Sequence, residues 1–265
     1  MKTYRLLALA FLTALMIILQ IFNNVIGFPT GFGMTVDLVG VPILLAFLIF
    51  GYAEALEVSF LLALILSLIA STGYIGATMK FAATLPMFLI PAIYLMAMKK
   101  KFDFGRICAL LLFGIIVTVL IFGVGALGGL FADKDKGIIV GVVPVIAIAV
   151  VSYFLLLLWN RYGKGIDMSS LRLMRNAIPV LLLAITARGV AMIIANFYFA
   201  GPLFFKISPD QFVGMIEGVD FLTFGKGIPF YVLIFFWNAV QGLLEFAVAW
   251  IIAFKFGFFE KYGSP

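Results

Sequence analysis

Two short apolar runs lie close together in the segment Val36–Phe81, and this spacing constrains the fold more than any other feature of the chain. A turn at Phe50–Glu54, which carries Gly51, joins the runs, and the glycine-spaced sequence GYIG follows them. The first run, Val39–Phe50, has about a dozen residues, whereas a helix needs roughly 20 to cross the hydrocarbon of a bilayer. We therefore predict an embedded, tilted helix that neighbouring helices shield from lipid.

Composition places the chain in a membrane. Hydrophobic residues make up 65% of the sequence and charged residues 11%, which leaves too little polar surface for a water-soluble globule. The other long runs mostly reach the length of a spanning helix and lack the alternation of barrel strands. Met1–Gln20 has a basic start and an apolar body but no small-x-small cleavage site, so we expect a retained first helix.

The apolar runs predict an all-α, polytopic bundle of eight segments in a single membrane domain, residues 1–265. These segments are Tyr4–Phe22, Val39–Phe50, Ala55–Ala70, Met79–Met98, Arg106–Leu130, Ile138–Trp159, Ala177–Phe199 and Ile228–Phe256. Lysine and arginine cluster at Lys2/Arg5, Lys99–Lys101, Arg161–Arg175 and Lys255/Lys261, which the positive-inside rule assigns to the cytoplasm. Both termini are therefore expected in the cytoplasm, with outer loops at 27–36, 71–77 and 201–227.

The sequence argues against several classes of function. The basic clusters at the membrane account for the net charge of +6, so a nucleic-acid partner is unnecessary. The single cysteine, Cys108, excludes an internal disulfide, and the absence of histidine removes the commonest metal ligand. The chain has no GxxxxGK[ST], HExxH or GxSxG motif. We therefore expect neither an enzyme nor a resident cofactor or metal.

Charged residues within the apolar runs are functional candidates, because a charge at that depth is costly without a partner. Arg188 lies about half-way along Ala177–Phe199, and Glu245 lies at a similar depth in Ile228–Phe256, so the two could pair. Glu57 is a second possible partner for Arg188. A buried ion pair that fixes helix register is one interpretation, and a role in substrate binding or proton coupling is the other.

Four more polar side chains are candidates for ligand binding. Lys80 is expected at the outer start of a helix, where its ammonium could reach either water or a pocket. Asn196 lies near the outer end of its segment, and Asn238 and Gln241 share one helix face because they are three residues apart. These amides could hold the polar edge of a planar heterocycle or join helix to helix.

The first segment carries two small residues one helical turn apart, Ala10 and Ala14. Small-xxx-small spacing lets a second helix approach closely. The pattern is compatible with a contact inside the chain and with a partner subunit.

An ordered set of motifs resembles a known family. The sequences TVDLVGVPILLAFLIFG, LLALILSL and GYIGATMKF follow one another here, and in this order they resemble the substrate-binding S component of energy-coupling factor (ECF) vitamin transporters, most closely the riboflavin type. Asp37, Pro42 and Phe50-Gly51 match the family's second-helix region. Asn238-Ala-Val-Gln241-Gly242 is similar to its Asn-x-x-Lys-Gly element.

The resemblance covers about residues 5–98 and 177–256, and it implies a six-helix core into which 106–159 is inserted as a helical hairpin. It implies a multi-pass protein of the cell membrane that captures riboflavin or a related vitamin from outside. It also implies two kinds of partner, a transmembrane coupling subunit and two ATPases, with Ala10 and Ala14 at the docking site.

The residues implied in substrate binding are Asp37, Lys80, Asn196, Asn238 and Gln241. Two of them depart from the family pattern, since Gln241 replaces a lysine and Lys80 stands where asparagine is usual. Another vitamin, a nucleobase-like ligand and a stand-alone permease stay open as alternatives. The least favoured alternative is a membrane enzyme, for which Arg188, Glu57 and Glu245 would be the catalytic candidates.

Overall fold

The computed structural model describes residues 2–30, 34–70, 73–98, 146, 148–157, 160, 167–219 and 227–263. Its α-helices are α1 (Lys2–Ile21), α2 (Asn23–Ile26), α3 (Val41–Phe50), α4 (Tyr52–Ile69), α5 (Gly73–Met98), α6 (Ile148–Leu157), α7 (Met174–Ala195), α8 (Gly201–Phe205), α9 (Pro209–Glu217), α10 (Phe230–Trp250) and α11 (Phe258–Tyr262). A 3₁₀ turn spans Met168–Arg172, and π-helical turns span Asn196–Ala200 and Ile251–Lys255.

Five of the described helical stretches are long and apolar enough to cross a membrane: Thr3–Ile21, Tyr52–Ile69, Gly73–Met98, Met174–Phe205 and Phe230–Lys255. The expected all-α helical bundle is confirmed at this level. The proposed hairpin at 106–159 lies outside the described residues except for 146 and 148–157. The count of eight segments and their sidedness stay predictions.

The short helix α3 lies wholly inside the protein, because every residue from Val41 to Phe50 is buried. Pro42 occupies its first turn, where a missing N–H costs nothing. At its other end Gly51 has φ +117°, a conformation that L side chains rarely adopt, and this single residue reverses the chain into α4. The prediction that neighbouring helices shield this run is confirmed, and its tilt within a bilayer stays a prediction.

The two ends of the chain meet at one end of the bundle. The rings of Tyr4 and Tyr262 stack with centroids 5.2 Å apart. Arg5 donates a hydrogen bond to the backbone oxygen of Phe50 at 2.9 Å and forms an ion pair with Glu54. The first turn of α1, the junction between α3 and α4, and α11 therefore share this end.

The glycine segment differs from the prediction of an outer loop at 71–77. Helix α5 begins at Gly73, not at Met79, and Gly73 itself has φ +54°. Tyr74 accepts a hydrogen bond from the Thr78 hydroxyl within the first turns of this helix. Packing of α5 against α4 and α7 outweighs the low helix propensity of the glycines.

The long loop predicted at 201–227 is also partly helical. Asn196–Ala200 forms a π-helical turn that passes directly into α8, so the helical stretch that begins at Met174 runs to Phe205. Helix α9 follows, and its start is fixed by a capping box between Ser208 and Gln211. The loop at 27–36 contains a small antiparallel pairing, with Phe28 opposite Val36.

Candidate functional site

A cavity of about 230 Å³ lies at the end of the bundle opposite the chain termini. It is lined by the last turns of α1 and α4, the first turns of α5, the end of α7, the α8–α9 segment and the face of α10. The lining residues include Gln20, Asn23, Met34, Asp37, Leu66, Ala70, Gly76, Met79, Lys80, Arg188, Met192, Asn196, Phe205, Phe212, Asn238 and Gln241. All five residues that the sequence assigns to substrate binding are in this set.

Asp37 and Lys80 both line the cavity and form an ion pair with each other. The Lys80 ammonium forms a close ion pair with Asp37 Oδ1, and the two side chains are only 13% and 8% exposed. The same oxygen accepts hydrogen bonds from the backbone N–H of Val39 at 3.0 Å and from Gln241 Nε2 at 3.2 Å. Lys80 does not begin a helix as predicted, because α5 starts seven residues earlier. Its side chain lines the cavity.

Arg188 and Glu245 form the deepest ion pair of the described bundle. Arg188 Nη1 lies 2.7 Å from Glu245 Oε2, and the side chains are 1% and 0% exposed. The other carboxylate oxygen accepts hydrogen bonds from the Gly40 backbone N–H at 3.2 Å and from Gln241 Nε2 at 3.1 Å. Glu57 is exposed and is not the carboxylate that Arg188 contacts, because its side chain lies on the outer face of α4.

The two ion pairs form one network. Lys80 Nζ lies 3.8 Å from Glu245 Oε1, and Gln241 donates to both Asp37 and Glu245. Each buried charge therefore has an opposite charge within 4 Å and at least one hydrogen bond, which is what allows charges to stay inside an apolar bundle. Gly40 is part of this arrangement, since a Cβ there would lie 2.5 Å from the Glu245 carboxyl carbon.

The asparagines lie where they can meet a ligand. Asn238 is 1% exposed, and its amide nitrogen donates to the backbone oxygen of Ile234 at 2.9 Å. Asn196 stands at the start of the π-helical turn and donates to the backbone oxygen of Met192 at 2.8 Å. The Asn238 amide nitrogen also lies 3.7 Å from Met34 Sδ, so it links α10 to the segment before α3.

Three buried polar atoms of cavity-lining side chains lack a hydrogen-bond partner within the described part of the chain: Asn23 Oδ1, Asn238 Oδ1 and Arg188 Nε. Buried polar groups are satisfied in the great majority of cases, so a cluster of unsatisfied ones at a cavity indicates that water or a ligand binds there. Asn23 was not predicted as a site residue. Its only signal in the sequence is that Asn23 directly follows an apolar run, which by itself indicates a helix end.

Aromatic side chains close the cavity end of the bundle. Phe28 packs on Trp237 with centroids 5.7 Å apart, so the β1–β2 pairing rests on α10. Phe212 of α9 packs against Phe205 and Phe230 at 5.6 and 5.7 Å. Phe205 and Phe212 themselves line the cavity, so part of its wall is aromatic, as in most ligand pockets for small organic molecules.

Ala10 and Ala14 are far less buried than the cavity residues. Both are exposed on the outer face of α1, and α1 is the least buried of the five long helical stretches, with 11% of its span inside the protein. The structure therefore leaves the small-residue stripe accessible on the surface of the bundle. Its role as a docking site stays a prediction.

Comparisons of the chain with protein-family models, with curated proteins and with solved structures give no match. The fold and the cavity define the class: an α-helical bundle with several helices able to span a membrane and a partly charged cavity at one end.

Proposed function

We propose that this chain is the substrate-binding S component of an ECF-type importer and captures riboflavin or a related vitamin from outside the cell. The observation that carries the proposal is the single cavity that gathers Asp37, Lys80, Asn196, Asn238 and Gln241. These residues come from distant parts of the sequence, and they are the five that the resemblance to the S component implies in substrate binding.

The chemistry of the cavity suits a planar heterocycle. Phe205, Phe212 and several methionines supply apolar contact area, and methionine adapts to irregular aromatic surfaces. Asn23 and Asn238 offer free acceptors, and Arg188 offers a free donor. A few placed polar groups within an apolar wall give orientation and specificity to a ligand that apolar burial retains.

Energy for uptake is proposed to come from other subunits. The sequence contains no phosphate-binding loop, so a transmembrane coupling subunit and two ATPases would drive transport. The exposed Ala10 and Ala14 stripe is the proposed contact with the coupling subunit, because small residues let two helices approach closely. The chain would lie in the cell membrane with both termini in the cytoplasm and the cavity facing outward.

The experiment is identification of bound small molecules by mass spectrometry of purified protein, followed by titration with riboflavin monitored by quenching of flavin fluorescence. Substitution Asn238→Ala should weaken flavin binding at least tenfold, about 1.4 kcal/mol, because a buried ligand group loses its partner. Asn176→Ala is the matched control, since Asn176 bonds to the backbone of Ser170 away from the cavity.

Three results would count against the proposal. Unchanged affinity in Asn238→Ala would remove Asn238 from the binding site. Failure to find or bind any vitamin-like compound would refute substrate capture. Uptake of riboflavin into vesicles that contain this chain and no ATPase would show a stand-alone permease instead.

A further inference from the structure

The charged side chains that line the cavity do not balance by themselves. Asp37, Lys80 and Arg188 reach the lining, which gives one carboxylate and two cations among the described residues. A cavity with a surplus cation in a low-dielectric surrounding would attract phosphate or carboxylate groups strongly.

Glu245 restores the charge balance although it does not itself line the cavity. It is fully buried and is not among the lining residues, yet one of its oxygens contacts Arg188 at 2.7 Å and the other lies 3.8 Å from Lys80. The Gly40 backbone N–H and the Gln241 amide hold the carboxylate in place. With Glu245 included, the network contains two carboxylates and two cations and has no net charge.

The free hydrogen-bonding atoms at the cavity favour an uncharged ligand that carries hydrogen-bond donors. Two of the three unpartnered atoms at the cavity, Asn23 Oδ1 and Asn238 Oδ1, are acceptors. An anionic oxygen can only accept, so it would leave both of them unsatisfied and add repulsion. An uncharged ligand with N–H or O–H groups can satisfy them.

We propose that Glu245 sets the charge selectivity of the cavity: by neutralising Arg188 and Lys80 it restricts binding to uncharged heterocycles with hydrogen-bond donors and excludes their phosphorylated or carboxylated relatives. This inference rests on the proposed function for its choice of ligands, but its electrostatic part can be tested without a vitamin. Glu245 acts through the two cations and is a positioning residue that determines specificity.

The first experiment compares riboflavin with flavin mononucleotide, which differ by one phosphate, in the wild type and in Glu245→Gln. The wild type should bind riboflavin at least tenfold more tightly. The ratio should shift toward the phosphorylated form by about tenfold or more in Glu245→Gln, because one cation is released while an amide oxygen still accepts from Gly40.

Charge rescue separates selectivity from a structural effect. In Glu245→Gln combined with Lys80→Met the network is again neutral, so the ratio should return toward the wild-type value even if both affinities fall. Asp37→Asn also leaves one surplus cation and should show the same gain for the phosphorylated form, which provides a second variant if Glu245→Gln does not fold.

A second measurement uses inorganic phosphate and the protein without a vitamin, at constant ionic strength. Phosphate should raise the melting temperature of Glu245→Gln or Asp37→Asn and leave that of the wild type unchanged. If the wild type binds flavin mononucleotide as tightly as riboflavin, or if the variants leave the ratio unchanged, the selectivity inference is wrong and the proposed function stands. If no flavin binds but phosphate stabilises only the variants, the proposed function fails for flavins and the role of Glu245 stands. Stabilisation of the wild type by phosphate would overturn the role of Glu245.

Discussion

Two ion pairs of nearly equal length in this protein should differ greatly in their contribution to stability. Arg188 and Glu245 are 2.7 Å apart and almost fully buried, whereas Arg172 and Glu260 are 2.6 Å apart and 54% and 59% exposed. Distance alone would predict the same cost for losing either arginine. Burial predicts otherwise, because water replaces a lost partner at the surface and cannot do so in the bundle.

Substitution Arg188→Met leaves Glu245 as a buried carboxylate without its nearest cation. Removing one partner of a buried pair costs about 3–5 kcal/mol. Lys80 remains 3.8 Å from Glu245 Oε1 and the Gly40 and Gln241 hydrogen bonds remain, so we expect the lower end, about 3 kcal/mol. At roughly 2–4 °C per kcal/mol, the melting temperature should fall by on the order of 10 °C.

The assay is thermal unfolding of the detergent-solubilised protein, with the folded yield measured by size-exclusion chromatography. The control Arg172→Met should cost less than about 1 kcal/mol and shift the midpoint by only a few degrees. The double variant Arg188→Met/Glu245→Gln should recover most of the loss, because no uncompensated charge is left. Equal losses in the two single arginine variants, or a double variant less stable than Arg188→Met, would refute the argument from burial.

Two glycine substitutions test close packing around the cavity. Gly40→Ala should destabilise the protein by about 1–3 kcal/mol in the same unfolding assay, because the new Cβ would lie 2.5 Å from the Glu245 carboxyl carbon. Wild-type stability of this variant would mean that the Glu245 carboxylate does not pack against the Gly40 backbone. Gly201→Ala should displace Phe212, whose ring occupies the position of the new Cβ, and should make Pro209–Glu217 more sensitive to limited proteolysis. Gly214→Ala is the control, since nothing lies within 4 Å of its Cβ, and an equal increase in cleavage would contradict the packing argument.

Helix existence could be predicted from the sequence because apolar run length reports directly on what can cross a bilayer. The second run was too short by the same rule, and α3 is indeed the helix that neighbouring helices enclose completely. The Arg188–Glu245 contact also followed from counting depth along two antiparallel segments. From the sequence, Glu57 was an equally good partner for Arg188, because a buried charge needs an opposite charge nearby. In the structure, α4 places the Glu57 side chain on its exposed face.

The errors share a physical origin in tertiary packing. Gly73 and the stretch after Gly201 carry the composition of loops, yet both are helical because neighbouring helices and the capping box at Ser208 stabilise them. The ion pair of Lys80 with Asp37 could not be predicted, since it depends on the helix starting at Gly73 and on the pairing of Phe28–Pro29 with Thr35–Val36. Local sequence carries no information on such register.

The enclosed helix α3 has a consequence for how the chain is assembled during synthesis. At 1.5 Å per residue its ten residues extend about 15 Å, half the thickness of the hydrocarbon, so it cannot anchor itself across a bilayer. The backbone N–H of Gly40 at its start is satisfied by Glu245, which is made 205 residues later. Val41–Phe50 is therefore made long before Glu245, and the backbone N–H group of Gly40 gains this partner only when α10 is synthesised.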